Sequence, residues 1–335
     1  MIPRGLVWDG HEFYLMQRVA FGDVRVWRSA DGLAWEELPS FGATVTTVDG
    51  PYTLMSQGGW LVAGGNRDGI ATVWLYEGDV WREVSLGVSA SVTDLAVAGP
   101  NLVALGYTPG PRTAEGVFDP YPPGHATIWV STDGLAWTEV AGADLFGEYS
   151  NPVGLVPFGD LVVAVANRRG EADGSFNRMA PLLVTSSNGS DWVDLGIDLG
   201  KVNIERVSGG ESVTLMSRTR IWRTIDGESW TRSTIDLSAV EVTARDHPDL
   251  LQGRVVVTGA VLGNDARFGE VEFPAAWCYL GDGAWQELGV GETLFGPGSI
   301  GNFVVGDDRL VANGRVATAG SPDDGWALYT FVVEP

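Results

Sequence analysis

Three stretches hold the side chains best suited to recognition chemistry. Residues 108–124 carry Arg112, Glu115, Phe118, Asp119 and Tyr121; residues 167–180 carry Arg168, Arg169, Phe176 and Arg178; residues 263–274 carry Asn264, Arg267, Phe268 and Glu272. A guanidinium is planar, permanently charged and offers paired donors to a carboxylate. Phe and Tyr bury a large flat area, so arginine mixed with aromatics is a composition of binding surfaces. The expected binding residues are therefore Arg112, Phe118, Asp119, Tyr121, Arg168, Arg169, Phe176, Arg178, Arg267 and Phe268. Most other connections in the chain are short. Hairpin loops beyond about five residues are mostly functional or disordered, with tolerated insertion at a loop tip as the plain alternative.

A second set of residues invites a catalytic or metal reading. Ser29-Ala-Asp31-Gly32, Ser131-Thr-Asp133-Gly134 and Thr224-Ile-Asp226-Gly227 repeat one pattern of hydroxyl, carboxylate and glycine. A catalytic group is needed once, whereas a fold-making group is needed once per repeat, so the repetition points to structure. The Ser or Asp side chain can accept the turn's own N–H groups, glycine takes the left-handed position, and the following Trp packs. His11, His125 and His247 are scattered, with no H-E-x-x-H and no paired cysteines. His125 follows Pro122-Pro123-Gly124 and His247 precedes Pro248, so both read as solvated loop residues. Asp323-Asp324-Gly325 lacks the alternating ligands of a calcium loop. No glycine-rich phosphate loop follows a strand and opens a helix. The expectation is no catalytic residue, no metal and no cofactor. Cys278, the one cysteine, reads as a small buried hydrophobe beside Trp277 in a predicted strand.

What must position these residues is a repeat. The stretch 27–35 (W-R-S-A-D-G-L-A-W) recurs in the same frame at 74–81, 129–137, 184–192, 222–230 and 277–285, with Val184 standing where the others begin with Trp. The closing tryptophans at 35, 81, 137, 192, 230 and 285 lie 38 to 56 residues apart. Around each pair, apolar and β-branched runs of four to eight residues end in D-G, G-G or N-G pairs, which accept the positive φ of a tight hairpin turn. In the first unit these runs are 6–8, 12–19, 24–28 and 35–38. No segment shows helical spacing between start and stop signals. Self-similarity at this period predicts an all-β, seven-bladed β-propeller of four-stranded antiparallel meanders, one domain over 1–335. The predicted blades are 1–41, 42–87, 88–147, 148–199, 200–237, 238–294 and 295–335, with a three-stranded last blade and a ring closed mainly by apolar contact. In such a ring the loops between second and third strands share a face with the blade-to-blade connections, at the mouth of the central channel.

The turns carry a resemblance. Ser29-Ala-Asp31-Gly32-Leu-Ala-Trp35 and Ser131-Thr-Asp133-Gly134-Leu-Ala-Trp137 are similar to the Asp-box (BNR-like) turn, S-x-D-x-G-x-x-W, of sialidase-type propellers, one residue shorter between Asp and Gly. Thr224-Ile-Asp226-Gly227-Glu-Ser-Trp230 follows suit, and Tyr76-Glu-Gly78, Ser187-Asn188-Gly189 and Leu280-Gly-Asp282-Gly283 are degraded copies. The resemblance implies a propeller whose turns lie between outer strands, on the rim away from the ligand. A sialidase would further need three arginines on inner strands, an acid and a Tyr-Glu nucleophile pair. The early Arg-Ile-Pro signature is replaced by Ile2-Pro3-Arg4, and Arg4, Arg206 and Arg245 do not occupy equivalent repeat positions.

The bulk numbers bound the partners. With 21 basic and 43 acidic residues the net charge is -22, which opposes nucleic acid and anionic membrane surfaces and favours solubility. No apolar window reaches the length of a membrane span, and the first ten residues show no Sec signal, giving cytoplasm, or a virion if phage-encoded, as the expected location. The resulting expectation is a non-enzymatic recognition or assembly module. It binds a protein or a cell-surface glycan through the long-loop face, and a phage tail or host-attachment component is one concrete form. The alternative is a carbohydrate-active hydrolase or lyase, which would converge two carboxylates and several arginines, drawn from Asp94, Asp119, Glu205, Arg112, Arg168, Arg178 and Arg267, at the channel mouth.

Overall fold

A computed structural model describes residues 5–19, 23–41, 50–110, 124–169, 179–218, 220–236, 244–245, 249–251, 254–265, 269–281, 284–290, 298–305, 309–316 and 325–332. The first sheet comprises β1 (Leu6–Trp8), β2 (Phe13–Val19), β3 (Asp23–Ser29) and β4 (Glu36–Glu37). The second comprises β5 (Gly50–Gln57), β6 (Trp60–Arg67), β7 (Ile70–Glu77) and β8 (Val80–Ser89), and the third β9 (Ser91–Ala98), β10 (Asn101–Pro109), β11 (Gly124–Ser131) and β12 (Thr138–Ala141). The fourth holds β13 (Ser150–Phe158), β14 (Leu161–Arg169), β15 (Met179–Ser186) and β16 (Val193–Asp194); the fifth holds β17 (Arg206–Ser208), β18 (Val213–Ser217), β19 (Arg220–Thr224) and β20 (Thr231–Thr234). Each is an antiparallel meander in chain order, as tight glycine turns dictate.

The sixth sheet departs from that plan. Its central strands β23 (Arg254–Asp265) and β24 (Gly269–Gly281) are long enough that two short strands, β21 (Ala244–Arg245) and β22 (Asp249–Leu251), pair side by side along β23, while β25 (Ala284–Val290) pairs with β24. The last sheet, β26 (Gly298–Val305), β27 (Arg309–Val316) and β28 (Gly325–Val332), has three strands. The expectation of seven blades is therefore corrected: sheets with four or more strands number six, and the structure has six full blades. The three strands of the last sheet are as expected, but without a fourth they do not make a full blade, and that is where the count of seven fails. Among the described residues no fourth strand stands beside β28, and β26 lies between β22 and β1.

The apolar core is divided among the seams between blades. Along the third blade the side chains alternate: Leu102 and Ala104 face the second blade with Met55, Val62 and Val73, whereas Val103 and Leu105 face the fourth with Leu155, Val162 and Ala164. Both faces of a middle strand are thus covered, which is why β6, β10 and β14 are buried almost end to end while β8 and β16 lie largely in water. In three of the pairs the first tryptophan enters the seam with the preceding blade: Trp74 toward the first, Trp129 toward the second and Trp222 toward the fourth. Val184 fills the same place toward the third blade. Cys278 is buried beside Trp277 in β24. No helix among the described residues is long and apolar enough to cross a membrane.

A helical element does occur, contrary to the all-strand expectation. The single turn α1 (Ala143–Phe146) stands in the connection from the third to the fourth blade and drives Phe146, fully buried, into their shared seam.

Candidate binding face

The repeated turns are structural. In 29–35, the Ser29 hydroxyl accepts the Gly32 N–H (2.8 Å), Asp31 Oδ1 accepts the N–H groups of Leu33 and Ala34 (2.8 and 2.9 Å), and the Trp35 indole N–H donates to the Gly32 carbonyl (3.0 Å). Ser131, Asp133, Gly134 and Trp137 reproduce every one of these bonds, and so do Ser186, Asn188, Gly189 and Trp192. Gly134 has φ 73°, which favours glycine, and a Cβ there would sit 3.1 Å from Leu75 Cδ2 of the preceding blade, so that side chain would have to shift. The donated backbone N–H groups hold the Asp133 carboxyl below its ordinary range and that of Asp226 down to about 2. The hydroxyl and one side-chain oxygen of the Asp or Asn in each of these turns are spent on the turn's own backbone N–H groups.

The opposite ends of the blades differ from one another. Second and third strands are joined by Asp68 and Gly69 alone in the second blade, both with positive φ, and by two residues in the fifth. In the third blade that connection occupies 110–123 and in the fourth 170–178. The third predicted loop, 263–274, is corrected: Gly263–Asp265 and Gly269–Pro274 are paired strand, Leu262 opposite Glu272 and Ala260 opposite Pro274, leaving 266–268 as the connection. His125, expected in a loop, pairs with Thr108 inside the β10–β11 ladder.

Of the predicted binding residues, Arg168 and Arg169 end β14; Arg112, Phe118, Asp119, Tyr121, Phe176, Arg178, Arg267 and Phe268 lie outside the described residues. The residue that sequence reasoning missed is Tyr149. It bridges Gly124, the stem of the first long connection, and its carbonyl accepts the Arg169 N–H (2.8 Å), the stem of the second. The residue is 41% exposed and its ring centre lies 5.5 Å from the Arg169 guanidinium carbon. Ser150, 1% exposed, pins the segment: its hydroxyl donates to the Gly147 carbonyl (3.0 Å) and accepts the Ala126 N–H (2.9 Å). Arg168 is exposed, its stem runs beside Gly147, and no described residue forms an ion pair with it. The length of the connection 142–149 gave no signal, since 195–205 between β16 and β17 is longer.

Polar clasps hold the blades in register on this face. Asn66 donates to the Ser91 hydroxyl (2.7 Å), and Asn167, 4% exposed, donates to the Ile204 carbonyl (2.7 Å) while accepting its N–H (2.9 Å). On the inner strands, a bulge leaves Tyr52, Thr93 and Val153 as the extra residue at one matching position in three successive blades. Of the candidate acids, Asp94 accepts the N–H of Leu95 (2.9 Å) and, across the seam, of Leu155 (2.8 Å). Among the described residues no three His, Cys, Asp or Glu side chains are grouped to hold a metal.

Six full blades joined by apolar seams around inner strands define the class: the chain is a β-propeller. Two solved structures agree at the level of fold. The β-propeller domain of the Trilobed protease from Pyrococcus furiosus, described as having an open velcro topology, is 13% identical with a TM-score of 0.55, over 97% of this chain and 92% of that one. An acylaminoacyl peptidase from Pyrococcus horikoshii is 15% identical with a TM-score of 0.56, over 97% of this chain, which spans 50% of its length. A lectin from Aleuria aurantia is 13% identical at a TM-score of 0.47, over 86% of this chain and 95% of that one. No family model and no curated protein matches the sequence, so the Asp-box likeness remains a likeness of turns.

Proposed function

We propose that this propeller is a non-enzymatic recognition module that takes a protein or cell-surface glycan on the face carrying its two long connections. One observation carries the reading: Tyr149 ties the stems of both connections to a single exposed aromatic, so 110–123 and 170–178 depart from neighbouring points. The ten arginine, aromatic and acidic residues named from the sequence are the proposed contacts, with Arg169 against Tyr149. Exposed, preorganised aromatics and arginines are the groups that dominate binding surfaces. The hydrolase alternative draws no support from Asp94, whose oxygens are engaged by backbone N–H groups.

Replacing residues 109–123 by a two-residue turn tests the proposal. Wild type and this variant are applied to arrays of glycans and of surface proteins. The proposal expects the variant to lose the wild type's hits while keeping its circular dichroism. Retention of the same hits with the same strength would remove the binding face from this position.

A further inference from the structure

The chain contains two Asn-Gly pairs, Asn188-Gly189 in the turn 186–192 and Asn313-Gly314 within β27. Asparagine is chemically labile, and a following glycine offers a main-chain nitrogen that no side chain shields. We propose that Asn188 is a deamidation site held shut by its own turn, and that its conversion unclasps the fourth blade from the third.

The reaction closes a cyclic imide. The Gly189 main-chain nitrogen attacks Cγ of Asn188 as it gives up its proton, the bond from Cγ to the side-chain nitrogen breaks, and that nitrogen leaves with the proton as ammonia. Water then opens the imide at either carbonyl, giving aspartate or isoaspartate. In the folded turn the participating groups are engaged elsewhere. The Gly189 N–H donates to the Ser186 hydroxyl (2.8 Å), Asn188 Oδ1 accepts the N–H groups of Ser190 and Asp191 (2.9 Å each), and the side-chain amide donates to Asp191 Oδ2 (2.8 Å). Gly189 is buried, and a Cβ on it would meet Val103 Cγ2 of the third blade at 2.6 Å. Ring closure therefore requires the turn to open first, and its rate follows that opening.

The fourth copy differs from its equivalents at two positions together. Where it has Asn188 and Asp191, the turns of the first, third and fifth blades have Asp31 and Ala34, Asp133 and Ala136, and Asp226 and Ser229. The acid stands at the later position, and the Asn188 amide supplies the hydrogen bond that accommodates it. An aspartate at 188 removes that donor and sets two carboxylates within hydrogen-bond reach, which disfavours the closed turn at neutral pH. Isoaspartate also lengthens the main chain by a methylene immediately before Gly189, where even a Cβ would press on Val103. The damage reaches the seam, because the Asn188 carbonyl accepts Asn101 Nδ2 of the third blade (2.7 Å).

Peptide-mapping mass spectrometry follows conversion at 188, separately from 313, during incubation at mildly alkaline pH. Folded wild type converts at 188 at least about tenfold more slowly than the same chain unfolded in urea, and Ser186→Ala raises the folded rate roughly tenfold. Asp191→Ala, on an exposed side chain, raises it about threefold and serves where Ser186→Ala does not fold. Equal rates in the folded and unfolded chain, or an unchanged rate in either folded variant, overturn the gating by the turn. The consequence is read from Asn188→Asp: its urea midpoint at neutral pH falls below wild type, and adding Asp191→Ala restores it. A midpoint equal to wild type, or no recovery on adding Asp191→Ala, overturns the unclasping.

Discussion

The turn 131–137 and the connection 142–149 lie in the same part of the chain, yet they are built on opposite terms. The turn satisfies its own polar atoms, with Ser131 and Asp133 accepting four backbone N–H groups and the Trp137 indole closing on Gly134, and the same set recurs in the first and fourth blades. The connection occurs once. It sends Phe146 inward and leaves Tyr149 outward between two loop stems, with Arg168 free of any described counter-charge. Repetition marks what the ring needs at every blade, and singularity marks what a ligand needs at one.

The comparison can be broken first at the seams that both regions depend on. Trp129→Ala empties the interface between the second and third blades, and the expected loss is about 3–5 kcal/mol in denaturant unfolding. A loss below ~1 kcal/mol would mean that the seam tryptophans do not hold the ring. Ser131→Ala comes next. Its hydroxyl is buried and accepts the Gly134 and Asp133 N–H groups, so removal is expected to cost about 1–3 kcal/mol in the same measurement.

Acid sharpens the contrast further. Asp133 and Asp226 have folded pKa values below the unfolded one, so the stability they supply is complete above pH ~4. It is lost as pH falls toward about 2, the folded value of Asp226. The double variant Asp133→Asn, Asp226→Asn should flatten the dependence of Tm on pH in that window and leave it unchanged above. The smallest stability effect belongs to the proposed site: Arg168→Ala, on an exposed side chain without a described partner, should move unfolding by less than about 0.5 kcal/mol while weakening ligand binding.

Much of the ring was legible because paired tryptophans flanking glycine turns recur with the chain's own period, and seam packing repeats with them. Blade count was less legible: the three strands of β26–β28 were expected, but counting them as a seventh blade was not borne out. The stretch 263–274 read as a loop because Gly263, Gly269 and Pro274 are breakers in isolation. In the fold Val261 pairs with Phe273 and Gly263 with Val271, so cross-strand pairing overrode the local signal. Arg168 and Arg169 were named as candidates from composition. Tyr149 was not, because its role comes from backbone bonds to residues 25 positions before it and 20 after it, a juxtaposition that no local pattern encodes.

The most direct test sets Ser131→Ala beside Tyr149→Ala and reads unfolding midpoint and array binding for each. The account predicts a crossed result: Ser131→Ala unfolds at lower denaturant with binding intact, whereas Tyr149→Ala keeps most of its stability and loses binding. Binding lost in folded Ser131→Ala and retained in Tyr149→Ala would contradict the division between scaffold and site.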